Sequence, residues 1–260
     1  MAFAKNGGVR LYWREEGAGP PLLLLNSVGC DVTLWNGVVT HLPGFRLVRM
    51  DMRGHGQSSS PPGDYTLEQL ASDVCAVLDA ARIDKAAICG LSLGGMVAMT
   101  MALNAPGRVS SIILACTSAQ MDPESWDARI QIVCSQGLPA IADTVMARFF
   151  SNSFRHNHGP DVDAIRKRFL QLDPMGYAGC CAAIRDMALI EKISAIDKPT
   201  LVIVGKEDAA TPFEGHGSEI QERIAGATVK VLSAGHIVPI EAPEVLAAAI
   251  TDFLLGASHG

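Results

Sequence analysis

Ile88-Cys89-Gly90-Leu91-Ser92-Leu93-Gly94-Gly95 is the stretch on which the reading of this chain turns. A short apolar run leads into G-x-S-x-G, and an Ala-, Met- and Gly-rich helical pattern over 93–105 follows. Such a pattern marks a strand that ends in a sharp turn into a helix, with the serine at the apex. The turn is sterically demanding. A bulky residue at 90 or 94 would clash, and Ser92 itself is expected in a strained conformation. Its hydroxyl then stands clear of the sheet, and the Leu93 backbone N–H lies beside any carbonyl it attacks, aided by the positive end of the helix. An ordinary turn is the competing reading of the five residues alone; the strand before them and the helix after them argue against it.

A serine hydroxyl is a weak nucleophile, so a base and an orienting acid must follow it. The chain order for this turn is nucleophile, acid, base. Asp208 sits in Gly205-Lys206-Glu207-Asp208, just past an expected strand over 200–204, and His236 ends Ser233-Ala234-Gly235-His236, past a strand over 228–232. Glu207 is the rival for Asp208. It reads as a solvated surface carboxylate, and the G-x-x-D spacing favours Asp208. Six other histidines compete with His236. His41 lies in a loop before Pro43, His156 and His158 form an H-x-H without a carboxylate arrangement suited to a metal, His216 is expected on a surface helix, and His259 is in the tail. His55, within Asp51-Met52-Arg53-Gly54-His55-Gly56, precedes the serine and reads as part of a structural turn. A second oxyanion donor is expected from Asn26-Ser27-Val28-Gly29, as the Val28 backbone N–H; an ordinary loop is the alternative there. Losing such a donor costs about 3 kcal/mol of transition-state stabilisation.

Outward from the turn, apolar runs over 22–26, 45–51, 86–90, 109–116, 200–205 and 228–232 read as strands, most of them continuous and so buried on both faces. The run over 9–15 alternates and reads as an antiparallel edge strand. Helices are expected over 67–81, with Thr66 as N-cap, over 93–105, and over 243–255, with the last residues frayed. This alternation predicts an α/β architecture, a mostly parallel central sheet with helices on both faces. From 118 to 190 the rhythm breaks into helical segments around 126–136, 138–150, 161–172 and 175–190. We read this as a helical lid inserted into a core made of 1–117 and 191–260, covering the C-terminal sheet edge where ligands bind.

Composition sets the outer bounds. The 260 residues are 48% hydrophobic, enough for a sizeable core, and the formal net charge of −6 argues against a nucleic-acid partner. Seven cysteines without C-x-x-C spacing imply neither a disulfide framework nor a zinc site; Cys75, Cys89 and Cys116 read as small core residues, Cys180 and Cys181 as residues of a lid helix. With no apolar leader and no run of about 18 apolar residues, a cytoplasmic enzyme without a membrane partner is expected.

With these residues in hand, the chain resembles the 3-oxoadipate enol-lactonases, members of the α/β-hydrolase superfamily. The resemblance covers nearly the whole length. It rests on Asn26-Ser27-Val28-Gly29, Asp51-Met52-Arg53-Gly54-His55-Gly56-Gln57-Ser58, Gly90-Leu91-Ser92-Leu93-Gly94-Gly95, Trp126-Asp127-Ala128-Arg129-Ile130 and Ala234-Gly235-His236. The Arg-Gly-His-Gly and Gly-Leu-Ser-Leu-Gly-Gly stretches are common to many related hydrolases. The Asn-Ser pair and the Trp-Asp-Ala-Arg segment discriminate more. Val28 and Cys30 depart from the expected pattern, which would have Leu at 28; the backbone donor is unaffected, but the pocket shape can differ.

The resemblance implies the α/β-hydrolase fold with a helical lid, and ring opening of 3-oxoadipate enol-lactone to 3-oxoadipate in the β-ketoadipate pathway of aromatic catabolism. Ser92 would be the nucleophile, His236 the base, Asp208 its orienting acid, and Val28 and Leu93 the oxyanion hole. No metal or organic cofactor is implied, and the expected partner is a small acidic lactone. A carboxylate on that substrate calls for a cation in the pocket. Arg129 leads, with Trp126 as an apolar wall; a solvent-facing arginine and a core tryptophan are the alternative, and Arg53, Arg148 and Arg185 are weaker candidates. A general carboxylesterase, a C–C bond hydrolase of a ring-cleavage product, or a cofactor-free haloperoxidase side activity would use the same three residues. A non-catalytic small-molecule receptor is disfavoured by their joint presence. Haloalkane dehalogenases and epoxide hydrolases would need aspartate where Ser92 stands.

Overall fold

Leu22 to Leu25, Ala86 to Leu91 and Ile112 to Ala115 are buried almost completely, as continuous apolar strands with cover on both faces must be. They form the middle of an eight-stranded sheet in a computed structural model that describes residues 2–256. The strands are β1 Ala2–Asn6, β2 Val9–Glu16, β3 Pro21–Leu25, β4 Arg46–Met50, β5 Ala86–Leu91, β6 Val109–Ala115, β7 Thr200–Gly205 and β8 Thr228–Leu232. Their order is β1-β2-β4-β3-β5-β6-β7-β8. β1 and β2 are antiparallel to their neighbours and the pairs from β4 to β8 are parallel, so β3, β5, β6, β7 and β8 all end on one edge. β2 is antiparallel as expected, but it is not the edge: β1 lies outside it in register from Ala2 opposite Trp13 to Asn6 opposite Val9. Ala2–Asn6 carries only one buried residue, Ala4, which is why no apolar run announced it.

The helices are α1 Asn36–Val39, α2 Leu67–Ala80, α3 Leu93–Asn104, α4 Pro123–Gln136, α5 Ala142–Phe149, α6 Asn152–Asn157, α7 Gly159–Phe169, α8 Pro174–Arg185, α9 Ser218–Arg223, α10 Val238–Glu241 and α11 Pro243–Gly256. Helices cover both faces of the sheet. α2 starts at Thr66 in a capping box: Thr66 Oγ1 accepts from Gln69 N–H at 3.2 Å, and Gln69 Oε1 accepts from Thr66 N–H at 3.1 Å. It buries Leu70, Val74, Val77 and Leu78, one stripe at helical spacing. α3 is buried nearly all round. Its glycines allow this: a Cβ on Gly94 would lie 2.4 Å from the Leu25 carbonyl oxygen.

Between β6 and β7 the chain is helical, α4 through α8. α4 begins three residues before the apolar pattern does, because the Asp122 carboxylate accepts from Glu124 N–H and Ser125 N–H ahead of Pro123 and its turn. The expected helix over 138–150 is split into a 3-10 turn, Leu138–Ala140, and α5, with Pro139 in the turn. α6 had no periodic signal, being six residues long with no buried member. α8 stops at Arg185 rather than 190 and carries Cys180 and Cys181, both buried. All seven cysteines are free thiols. Among its contacts with the rest, Gly54 packs on Gly176 with no room for a Cβ, Tyr65 N–H donates to Gly179 C=O at 3.1 Å, and Ser151 binds Glu241. No helix among the described residues is long and apolar enough to cross a membrane. The fraying expected at the C-terminus, and His259, lie outside the described residues.

Candidate active site

The serine turn has the strain its sequence demands. Ser92 sits between β5 and α3 at φ 54° and ψ −115°, a region that L-residues rarely occupy. A Cβ on Gly90 would fall 2.2 Å from the Gly94 carbonyl group. The turn is held by Ser92 N–H donating to Ala115 C=O at 2.9 Å and by Thr117 Oγ1 donating to Ser92 C=O at 2.6 Å. Cys116, beside it at the end of β6, is also at positive φ (43°).

Asp208 and His236 come from the loops after β7 and β8. The two loops press together where Gly205 meets Gly235: a Cβ on Gly205 would lie 2.2 Å from the Gly235 carbonyl oxygen. His236 Nδ1 is 2.9 Å and 3.1 Å from the two Asp208 carboxylate oxygens, which fixes the proton on Nδ1 and leaves Nε2 as the free acceptor. Ala210 N–H, Thr211 N–H and Thr211 Oγ1 donate to the same carboxylate at 2.7, 3.0 and 2.7 Å. Burial works against the Asp208 charge, but the adjoining His236 and the Thr211 donors outweigh it and hold the carboxyl well below the usual range. Glu207 is exposed and takes no part. The His236 ring stacks on Phe149 of α5 at 5.9 Å, and Ile237 N–H donates to Phe149 C=O at 2.9 Å, so the insertion braces the imidazole.

Ser92, His236, Val28 and Thr211 line one cavity with Ser27, Met96, Met121, Trp126, Arg129, Val145, Arg148, Phe149 and Ala210. The Ser92 hydroxyl has no hydrogen-bond partner among the described residues. Nor have the Val28 and Leu93 backbone N–H groups, at β3's end and the head of α3. The space a water molecule can occupy there is about 30 Å³, room for one or two waters.

The family model described as alpha/beta hydrolase fold matches residues 20–166. A 3-oxoadipate enol-lactonase of Acinetobacter baylyi is 34% identical over 227 residues, 86% of this chain and 85% of the relative. The chain belongs to the 3-oxoadipate enol-lactonase family of α/β-hydrolases. Among solved structures, the enol-lactonase of Burkholderia xenovorans is 35% identical with a TM-score of 0.94, over 98% of this chain and all of that one. A thermophilic esterase of Thermogutta terrifontis, with malate bound, is 29% identical with a TM-score of 0.91 over 98% of each chain.

In this family member two of the cationic candidates line the cavity and two are committed elsewhere. Arg129 lies one turn after Trp126 on α4, its guanidinium 4.6 Å over the indole ring and 3.3 Å from the Tyr177 hydroxyl of α8. No carboxylate pairs with it among the described residues. Arg148 also lines the cavity, exposed at its mouth. Arg53 is committed to Asp73 at 2.6 and 2.7 Å, and Arg185 to Asp64, Asp127 and Asp186. His216, expected on a surface helix, is instead half-buried in the wide turn Phe213–Gly217, its Nδ1 2.8 Å from Ser118 Oγ. Cys30 is buried away from the cavity; Val28 is the departure that reaches it.

Cys116, Asp208 and His236 are the one grouping among the described residues whose ligand-type atoms all lie within 4.8 Å. The carboxylate there is already engaged by His236, Ala210 and Thr211, and burial raises the Cys116 thiol far above its ordinary value. The group is built as an acid–base pair, with lone pairs directed at protons. Sequence reasoning missed Thr211, Phe149 and Tyr177. Thr211, three residues past Asp208, has the local spacing of an Asx-type turn and was legible in principle. Phe149 and Tyr177 reach the site from a distant insertion, and nothing local marks them.

Proposed function

We propose that this chain is a serine hydrolase that opens 3-oxoadipate enol-lactone to 3-oxoadipate, the activity that gives its Acinetobacter baylyi relative its name. The observation that carries the reading is a single small cavity lined by Ser92, His236 and an arginine without a carboxylate partner, Arg129. A guanidinium left unpaired against an aromatic face favours a carboxylate-bearing ligand. The malate in the Thermogutta terrifontis esterase, itself a small acid, fits the same preference.

Ser92 Oγ attacks the lactone carbonyl as its proton passes to His236 Nε2. The oxygen that becomes negative accepts from Val28 N–H and Leu93 N–H. Collapse breaks the ring C–O bond and expels an enolate oxygen, which takes the proton from His236 to give an enol that tautomerises to the ketone. Water, deprotonated by His236, then attacks the acyl-Ser92 ester and releases the carboxylate. Asp208 holds the imidazole tautomer and stabilises the imidazolium throughout. Arg129 holds the substrate carboxylate, Trp126 walls the ring, and residues 118–190 act as the cap. No metal or organic cofactor enters any step.

Turnover of the enol-lactone by wild type and Ser92→Ala, with p-nitrophenyl acetate as control, tests the proposal. Lactone opening well above the ester rate, absent in the variant, is the expected result; ester turnover alone would leave a general esterase. Arg129→Met should raise KM for the lactone about 10- to 100-fold, the cost of one charge-assisted contact, and spare the neutral ester. Equal effects on both substrates would remove Arg129 from the carboxylate site.

A further inference from the structure

Among the described residues His55 is the one fully buried histidine that this mechanism leaves idle, and it is tied to the oxyanion segment. The loop 26–32 carries the Val28 N–H, and it is gripped from behind by 50–58. Asn26 Nδ2 donates to Met50 C=O at 2.8 Å and Val32 N–H donates to Asp51 Oδ1 at 2.7 Å, while Trp35 Nε1, from the turn that follows the loop, donates to Asn26 Oδ1 at 2.9 Å. The grip nearest the donor is made by His55, whose Nε2 accepts the Gly29 N–H at 2.8 Å.

That bond dictates the ring's state. An N–H points at Nε2, so Nε2 must carry the lone pair, and the single ring proton sits on Nδ1, 3.3 Å from Arg53 C=O. Only the neutral imidazole satisfies both contacts, and burial keeps it neutral by pushing the pKa down to about 4. Gly29, at φ 86°, follows Val28 directly. The peptide plane that carries Gly29 N–H also carries Val28 C=O, so fixing it limits how Val28 can rotate and keeps Val28 N–H free of other acceptors.

We propose that His55 is a positioning residue for the oxyanion hole: by accepting the Gly29 N–H at Nε2 it holds Val28 N–H in place to receive the charge that develops above Ser92. The inference rests on the serine-hydrolase reading, but not on the identity of the lactone. It accounts for a histidine in Arg53-Gly54-His55-Gly56, where a turn alone needs only the glycines.

The test compares His55→Leu, His55→Gln and His55→Asn with wild type on p-nitrophenyl acetate, using phenylboronic acid as a tetrahedral mimic. Gln places its amide near Nε2, and Asn places it near Nδ1. Leu should lose about 10- to 100-fold in kcat with KM within twofold, and lose boronate affinity by a similar factor. Gln should restore most of both, and Asn should not. If Leu fails to fold, the contrast between Gln and Asn still decides. Equal kcat and equal boronate affinity for Gln and Asn, or an unimpaired Leu variant, would overturn the role of His55. Wild type inert to both the ester and the boronate would instead overturn the serine-hydrolase reading. Amide exchange at Gly29, slow in wild type and Gln and fast in Asn, reports the Nε2 contact independently of activity.

Discussion

Ser92 pays for its exposure with a backbone conformation, φ 54° and ψ −115°, that glycine adopts freely and serine does not. Ser92→Gly should therefore abolish hydrolysis and yet raise stability. Strain relief of about 1–3 kcal/mol outweighs the roughly 0.5–1 kcal/mol of extra chain entropy that glycine costs. Ser92→Ala keeps the strain and serves as control; a glycine variant melting at or below the alanine one would deny that the turn is strained. At Asp208 the relevant neighbour is Thr211, whose hydroxyl donates to the carboxylate at 2.7 Å. Thr211→Val removes one of the donors that hold the Asp208 carboxylate against His236 Nδ1, so the imidazole is less firmly oriented and kcat should fall about 10-fold with KM unchanged. An unchanged kcat would show that Ala210 N–H and Thr211 N–H suffice to fix the carboxylate. Ser92, Asp208 and His236 were legible from chain order and from their places at strand ends. Thr211 had only its local spacing from Asp208 to mark it, and His55 had nothing, because its contribution is a hydrogen bond across the fold to Gly29 and a sequence does not display who accepts from whom.

At the scale of elements, legibility followed burial. β3, β5 and β6 are apolar without interruption and were placed within a residue or two, whereas β1, with one buried side chain, and α6, with none, left no pattern to read. The insertion was recognisable as helical, but helix ends depended on caps such as Asp122 and on Pro139, which override periodicity. Its attachment to the sheet was invisible. After α5 the chain is anchored by Ser151, whose N–H and Oγ donate to the Glu241 carboxylate of α10 at 2.8 and 2.7 Å. That anchor sits two residues from Phe149, which stacks on His236. Glu241→Ala removes both bonds at a cost of about 2 kcal/mol, read as a lower urea midpoint. It should also lower kcat, because Phe149 loses its brace, while Glu241→Gln, which keeps one acceptor, should fall between. Unchanged kcat in a destabilised Glu241→Ala would mean that the Phe149 stack carries no catalytic consequence.

For the whole molecule, two buried groups in one turn set opposing pH dependences. Burial raises Asp51 to about 6, despite backbone bonds from Gln57 and Val32, and lowers His55 to about 4. Asp51 is protonated more readily folded than unfolded, so its contribution to stability is complete below about 4 and is lost as pH rises through 6. His55 is protonated less readily folded than unfolded; its contribution is complete above about 6.5 and is lost as pH falls towards 4. Each shift is worth about 3 kcal/mol, and over pH 4 to 6 the two run in opposite directions and nearly cancel. Wild type should therefore hold a flat unfolding midpoint across that window. Asp208, held low, supplies the loss at still lower pH, where its protonation breaks the bond to His236. Replacing His55 by Gln removes one member of the opposed pair and exposes the other: stability should then decline as pH rises from 4 to 6. Asp51→Asn should show the reverse slope, with stability increasing over the same interval. Urea midpoints at several pH values for the three proteins check the argument, and parallel slopes in all of them would mean that Asp51 and His55 do not titrate in the folded protein as their burial requires.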